Sequence, residues 1–279
     1  MKMDLTSPKT IKELLLKYEA KPSKGLGQNF LIDKNTLKKI VNSAGLKPTD
    51  TILEVGPGIG TLTRELAKIA SRVFAVEKSQ KMCEILKETL ADFNNVDVIN
   101  ADILRYLLPT ENYKVVANIP YYLTSPLIRK LLEAPPAAGK PEEIVLLMQK
   151  EVAQRICSKT PDMSLLSVSV QFYAEPKIIG YVSKNCFLPA PKIDSAIIKI
   201  TPKSPSVLSP TSHELFFKVV KAGFLHPRKQ LGNNLSAGLK LDREQVNLWL
   251  LNNKLAPSQR AETLSVQDWE NLTKSFPQL

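Results

Sequence analysis

Between residues 51 and 148, short apolar runs alternate with segments of helical period. Residues 51–55 predict a strand and 62–70 a helix; 72–76 a second strand and 82–90 a second helix. Residues 96–100 and 115–117 predict two more strands. Ser125-Pro126 reads as a cap followed by proline, opening a helix through Leu132, and 144–148 is one more strand. Alternating strand and helix imply an α/β fold: an open, mostly parallel sheet with helices on both faces. Upstream, Ser7-Pro8 caps a helix striped by Ile11, Leu14, Leu15 and Tyr18, and Asp33 caps another carrying Leu37, Ile40 and Val41. Residues 201–212, with three prolines and four serines, read as a linker. Beyond them Leu215, Phe216, Val219 and Val220, then Val246, Leu248, Trp249 and Leu250, show helical spacing only. The expected organisation is a sheet domain over 1–204 and a small all-α domain over 205–279.

Composition removes several classes. The chain has 279 residues, 43% apolar and 23% charged, which excludes a disordered protein and allows one large core or a large and a small one. It contains no apolar run of the roughly 18 residues that a membrane span needs. Lys and Arg number 38 against 27 Asp and Glu, a formal charge of +11 that suits a polyanionic partner. Cys83, Cys157 and Cys186 show neither disulfide nor metal-ligand spacing, and His213 and His226 have no partner motif, so a metal site or a Cys/His nucleophile is not expected. The start, Met1-Lys2-Met3-Asp4-Leu5, lacks the apolar core of a signal peptide, and cytoplasmic location is the expectation.

Candidate chemistry gathers at the ends of the predicted strands, where open α/β sheets bind ligands. The first strand runs into Gly56-Pro57-Gly58-Ile59-Gly60, where missing side chains let the backbone approach a ligand. Glu77 ends the next strand, about 20 positions on, where an acid can accept both ribose hydroxyls. Asp102, after the third, can accept from an adenine amino group. The spacing Gly-x-Gly-x-Gly differs from the dinucleotide pattern and favours an adenosyl ligand without pyrophosphate over NAD. The fourth strand ends in Asn118-Ile119-Pro120-Tyr121-Tyr122. The Asn118 side-chain carbonyl and the Ile119 backbone carbonyl can accept the hydrogens of an adenine 6-amino group, aiming its lone pair outward. Pro120 fixes the turn and lacks a competing N–H. Tyr121 offers a face for an extruded base.

Together these residues resemble the S-adenosylmethionine-dependent rRNA adenine dimethyltransferases. Three further stretches resemble the small-subunit branch of that family: Gly27-Gln28-Asn29-Phe30-Leu31, residues 187–195 (FLPAPKIDS), and Phe224–Leu231 with Asn233-Asn234-Leu235. The likeness runs from about residue 20 to the end. It implies a Rossmann-like methyltransferase sheet, S-adenosylmethionine as methyl donor without a metal, and cofactor contacts at Gln28, Asn29, Leu31, Gly56, Gly58, Glu77, Asp102 and Asn118. It implies dimethylation of two adjacent adenosines near the 3′ end of small-subunit rRNA, in a pre-assembled 30S-type particle, by a monomer with a role in small-subunit biogenesis. Phe187 is the expected second stacking face. Lys24, Lys221, Arg228 and Lys229 are the expected phosphate contacts, with Phe224 and Asn233-Asn234 interleaved. Where the family carries Tyr-Gly, this chain has Met163-Ser164 before Leu165-Leu166-Ser167-Val168, and Pro161 suggests a stiffer loop. A large-subunit rRNA adenine methylase and a non-catalytic assembly factor on the same fold remain as alternatives.

Overall fold

A computed structural model describes residues 3–23, 25–133, 139, 141–203 and 210–277. The chain divides into two compact units, one of Met1–Ala153 with Pro176–Pro202, the other of Gln154–Glu175 with Lys203–Leu279.

The first unit opens with α1 (Pro8–Lys17), capped by the Ser7 hydroxyl. A short strand β1 (Phe30–Leu31) follows, then α2 (Lys34–Ser43), where the Asp33 carboxylate accepts from Thr36 N. Next come β2 (Thr51–Val55), α3 (Thr61–Ala67), β3 (Arg72–Glu77), α4 (Gln80–Thr89), β4 (Val96–Asn100) and β5 (Tyr113–Asn118). The chain continues through α5 (Thr124–Leu132), β6 (Pro141–Gln149), α6 (Lys150–Ile156), α7 (Leu165–Tyr173), β7 (Ala174–Val182), β8 (Phe187–Leu188) and β9 (Ser195–Pro202).

Seven strands form one sheet in the order β4-β3-β2-β5-β6-β9-β7. Neighbours among the first five are parallel, and β9 runs antiparallel to β6. The order grows outward from β2 toward β3 on one side and from β5 on the other. The crevice of such a sheet opens where that direction reverses, outside the carboxyl ends of β2 and β5. Val116, Val145, Leu147 and Ile197 from the sheet pack with Leu37, Ile40, Leu62 and Leu66 from α2 and α3. A second cluster joins Ile11, Leu14 and Leu15 of α1 to Met82 and Ile85 of α4, with Phe30 and Ile59.

Several element ends shift by one to three residues, and β1, α6 and β7 to β9 have no counterpart in the sequence pattern; three further differences bear on the architecture. Helix α5 starts at Thr124 rather than after Ser125, because it continues a 3-10 turn over Tyr121–Leu123, and the Thr124 hydroxyl donates to the Tyr121 carbonyl. Pro126 then lies in the first turn, where an N–H has no intrahelical partner. The expected linker is shorter: Thr201 and Pro202 finish β9, α8 begins at Pro210, and 204–209 lie outside the described residues. The helical unit also takes in α7, upstream of the expected boundary at 204/205. Phe172 of α7 stacks on Phe216 of α8 (Pro210–Gly223) at 4.1 Å between ring centroids, and Val168 joins the same core.

The rest of that unit is α9 (Leu231–Leu239), α10 (Arg243–Asn252) and α11 (Val266–Lys274) around Trp249, Leu250, Trp269 and Leu272. Asn234 is 1% exposed, and its amide donates to the carbonyls of Gly223 (2.7 Å) and His226 (3.0 Å), closing the turn between α8 and α9. Replacing it with Ala strips donors from these carbonyls. Asn234→Ala is therefore expected to destabilise this unit by about 1–3 kcal/mol. Both tryptophans of the chain belong to this unit, so urea unfolding followed by tryptophan fluorescence reads it; an unchanged midpoint would refute the assignment.

Candidate active site

The twelve residues expected from sequence to bind a cofactor or a base line one cavity in the first unit: Gln28, Asn29, Leu31, Gly56, Gly58, Glu77, Asp102, Asn118, Ile119, Pro120, Tyr121 and Phe187. They come from separate stretches that the sheet topology brings together. The turn after β2 packs against the turn after β5: a Cβ added to Gly56 would lie 3.5 Å from Pro120 Cδ. Gly56 has φ +67 and Gly58 φ +60, and a Cβ on Gly58 would press to 3.3 Å from the Phe30 ring. Both positions combine left-handed backbone with close approach, which selects glycine.

Glu77 ends β3 and is 5% exposed. Its Oε2 accepts from Gly58 N at 3.2 Å and its Oε1 from Ser79 N at 2.8 Å, which fixes the carboxylate against the glycine turn. Burial raises its pKa, opposed by these backbone bonds. Asp102 accepts from Leu104 N at 3.0 Å and from the Lys78 ammonium at 2.9 Å; the lysine bond chiefly lowers its pKa.

At the tip of β5, the Asn118 amide nitrogen donates to the Asn29 carbonyl at 3.3 Å. That bond sets the carboxamide orientation and leaves Oδ1 without a donor among the described residues. Ile119 N donates to the Leu147 carbonyl at 3.2 Å, which anchors the turn to β6. The Tyr121 hydroxyl pairs with Ser195 Oγ at 2.8 Å. Phe187 is 3% exposed, and through β8 its backbone pairs with Leu31 of β1.

The N-terminal segment is held across the same site. Gln28 Oε1 accepts from Ser23 N at 2.9 Å, and Asn29 Nδ2 donates to the Gly27 carbonyl at 3.1 Å. Cavity-lining residues to which the sequence reading gave no role include Glu54, Lys78, Leu104 and Tyr122. A signal for Glu54 was present: an ionisable residue inside the apolar strand Ile52-Leu53-Glu54-Val55 is costly unless it has a task. Ser195, quoted only as the end of a motif, is fully buried and positions Tyr121.

The expected phosphate contacts stand elsewhere. Lys221, Arg228 and Lys229 are exposed side chains of the second unit and do not line the cavity, and Lys24 lies outside the described residues. Of the residues expected to interleave with them, Asn233 is exposed and two others are packed. Phe224 packs on Trp269, 5.7 Å between ring centroids, and Asn234 is buried.

A sheet of this order, with a glycine turn after β2 and acids at the ends of β3 and β4, defines a Rossmann-like methyltransferase. A family model described as ribosomal RNA adenine dimethylase matches residues 20–278. A relative from Dehalococcoides mccartyi strain CBDB1, named ribosomal RNA small subunit methyltransferase A, is 45% identical over 272 residues, 95% of this chain and 92% of its own length. One of the same name from Alkaliphilus oremlandii is 42% identical over 283 residues, 98% of each chain. Among solved structures, the 23S rRNA methyltransferase ErmE matches with a TM-score of 0.74 at 29% identity, over 90% of this chain and 100% of that one. A dimethyladenosine transferase from Plasmodium falciparum gives 0.73 at 28%, over 87% and 95%. The chain belongs to the ribosomal RNA adenine dimethylase family, and its methyl donor is S-adenosylmethionine.

The cavity suits that donor, which carries a cationic sulfonium, an ammonium and a ribose. The glycine turn leaves room that a Cβ would fill, and two acids are buried there. Glu54 is 1% exposed and its Oε2 has no hydrogen-bond partner. Burial, reinforced by the charge of Glu77, pushes its pKa from 4.5 up to about 8. Between those values the folded chain holds a proton that the unfolded chain has released, so stability falls as pH rises through this window. Glu54→Gln cannot ionise and is expected to flatten that fall in thermal melts from about pH 5 to 9. Parallel curves for the two proteins would remove Glu54 as the titrating group.

Proposed function

We propose that this enzyme dimethylates the 6-amino groups of two adjacent adenosines near the 3′ end of small-subunit rRNA, as a monomer in the cytoplasm, acting on a pre-assembled 30S-type particle during small-subunit biogenesis. Relatives named for the small subunit extend over 95% and 98% of this chain, which supports that substrate. The observation that carries the chemistry is the tip of β5. There the Asn118 carboxamide is turned by the Asn29 carbonyl so that its oxygen is free, next to the Ile119 carbonyl in the turn closed by Pro120.

In this reading Glu77 holds the ribose of the donor, and Asp102 its adenine amino group. Gly56 and Gly58 admit its backbone-facing edge, and Gln28, Asn29 and Leu31 cover it. S-adenosylmethionine supplies a methyl group on a positively charged sulfur. Asn118 Oδ1 and the Ile119 carbonyl accept the two hydrogens of the target amine, localising a lone pair that is otherwise delocalised into the ring. That lone pair forms the new N–C bond as the C–S bond breaks, and the proton of the alkylated nitrogen leaves to water. Catalysis is then positioning and electrostatics, with no strong base required. Tyr121 and Phe187 flank the extruded base and offset the few kcal/mol that extrusion costs. Lys24, Lys221, Arg228 and Lys229 position the RNA through its phosphates.

Mass spectrometry of 16S and 23S rRNA after incubation of 30S and 50S particles with enzyme and donor tests the substrate. Two adjacent dimethyladenosines in 16S rRNA are expected; methylation confined to 23S rRNA would replace this reading with the large-subunit one. Asn118→Ala is expected to reduce tritium transfer at least about 100-fold while RNA binding persists. Transfer near the wild-type rate would overturn the role of its carbonyl.

A further inference from the structure

Tyr122 has no part in the chemistry above, yet it lines the same cavity. Its neighbour Tyr121 points its hydroxyl inward to Ser195, whereas Tyr122 is 53% exposed in the same 3-10 turn. The Tyr122 side chain forms no hydrogen bond and no aromatic contact with another described residue. Its hydroxyl lies within electrostatic range of the Lys78 ammonium. The segment after β4 exposes Leu104, which lines the same cavity, together with Arg105 and Leu107. This side of the cavity therefore presents an exposed aromatic ring and an aliphatic neighbour, with two cations close by, Arg105 and Lys78, the latter paired with Asp102.

Scattered exposed tyrosines need no explanation. An aromatic at the lip of a cavity that takes an extruded base is a different case. Extrusion unstacks the target and strips one face from the nucleotide beside it. That nucleotide stays outside the cavity, joined to the target by a single phosphate. A tyrosine ring can replace the lost stack, and adjacent cations can hold the phosphate.

We propose that Tyr122 is the stacking platform for the nucleotide next to the extruded adenosine, and that it governs which of two neighbouring adenosines enters the cavity. This rests on the rRNA adenine reading of the site. The platform acts on RNA alone, so its loss leaves donor binding intact.

The test compares the full-length chain with Tyr122→Ala, Tyr122→Leu, Tyr122→Phe and Tyr122→Trp on 30S particles. Steady-state kinetics gives the KM for particle and for S-adenosylmethionine, and mass spectrometry gives the methyl count at each adenosine. Tyr122→Ala and Tyr122→Leu are expected to raise the particle KM about tenfold. They should also shift the ratio of methyls between the two positions, with the KM for donor unchanged. Phe and Trp should restore both readings. Unchanged particle KM and unchanged ratio in the Ala and Leu variants would overturn the proposal. So would failure of Phe and Trp to rescue, or a parallel rise in the donor KM, which would place Tyr122 on the cofactor side. Should the Ala variant not fold, Leu carries the same reading. If the wild type methylates no adenosine in 16S rRNA, the functional reading fails, and that outcome is visible before any variant is compared.

Discussion

The site exists because the sheet changes direction between β2 and β5. Helices and turns that follow β2 leave toward one edge, and those that follow β5 leave toward the other, so the two carboxyl ends diverge and a crevice remains. Everything chemical then depends on which residues end those strands. At β2 it is a glycine turn whose backbone a Cβ would obstruct; at β5 it is Asn118-Ile119-Pro120. The contact between Gly56 and Pro120 is the seam of that crevice. A side chain at 56 would both strain the left-handed backbone and push on the turn that holds the catalytic carbonyls of the proposed reaction.

Parallel-strand registers explain why so much of this was legible in the sequence. Residues 51–55 and 96–100 agree with β2 and β4 at both ends: β2 is a buried apolar run, and β4, at the sheet edge, is a short half-buried strand in which apolar and polar residues alternate. Ser7 and Asp33 cap where expected, since a short side chain with an acceptor has little else to do before a helix. The start of α5 was harder. Ser125-Pro126 imitates a cap, but the preceding 3-10 turn supplies its own ordered carbonyls and the helix begins earlier. Helix α7 was hidden for another reason: Leu165–Tyr173 is apolar on most sides, so no stripe announces which face packs. Its place with α8 follows from aromatic stacking between Phe172 and Phe216, a tertiary contact that no local pattern encodes.

The candidate site was legible where chemistry demanded an unusual residue at a strand end, and opaque where it depended on pairing. Glu77, Asp102 and Asn118 could be named from position alone. That Lys78 engages Asp102, that Ser195 holds Tyr121, and that Asn29 orients Asn118 could not, because each joins segments that only the folded sheet brings together. The same limit applies to the motif Asn233-Asn234. Its second member looks like an RNA contact on a basic stretch, and it is a buried amide bracing a turn.

One small ribbon ties the two halves of the proposed reaction together. Strand β1 pairs with β8 so that Phe30 faces Leu188 and Leu31 faces Phe187, and Ile32 N extends the pairing to the Cys186 carbonyl at 2.8 Å. Asn29, one residue before β1, orients Asn118 through its carbonyl, while Phe187 is the proposed face for the base. The segment that would cover the donor is thus bonded both to the loop that receives the substrate and to the amide that polarises it. Residues 29–32 are therefore hydrogen-bonded on one side to the strand that carries Phe187 and on the other to the Asn118 side chain, at 3.3 Å. In the proposed reaction, the residues over the donor and those around the base thus share one hydrogen-bonded ribbon, so the site of the electrophile and the pocket for the base are built on common backbone positions.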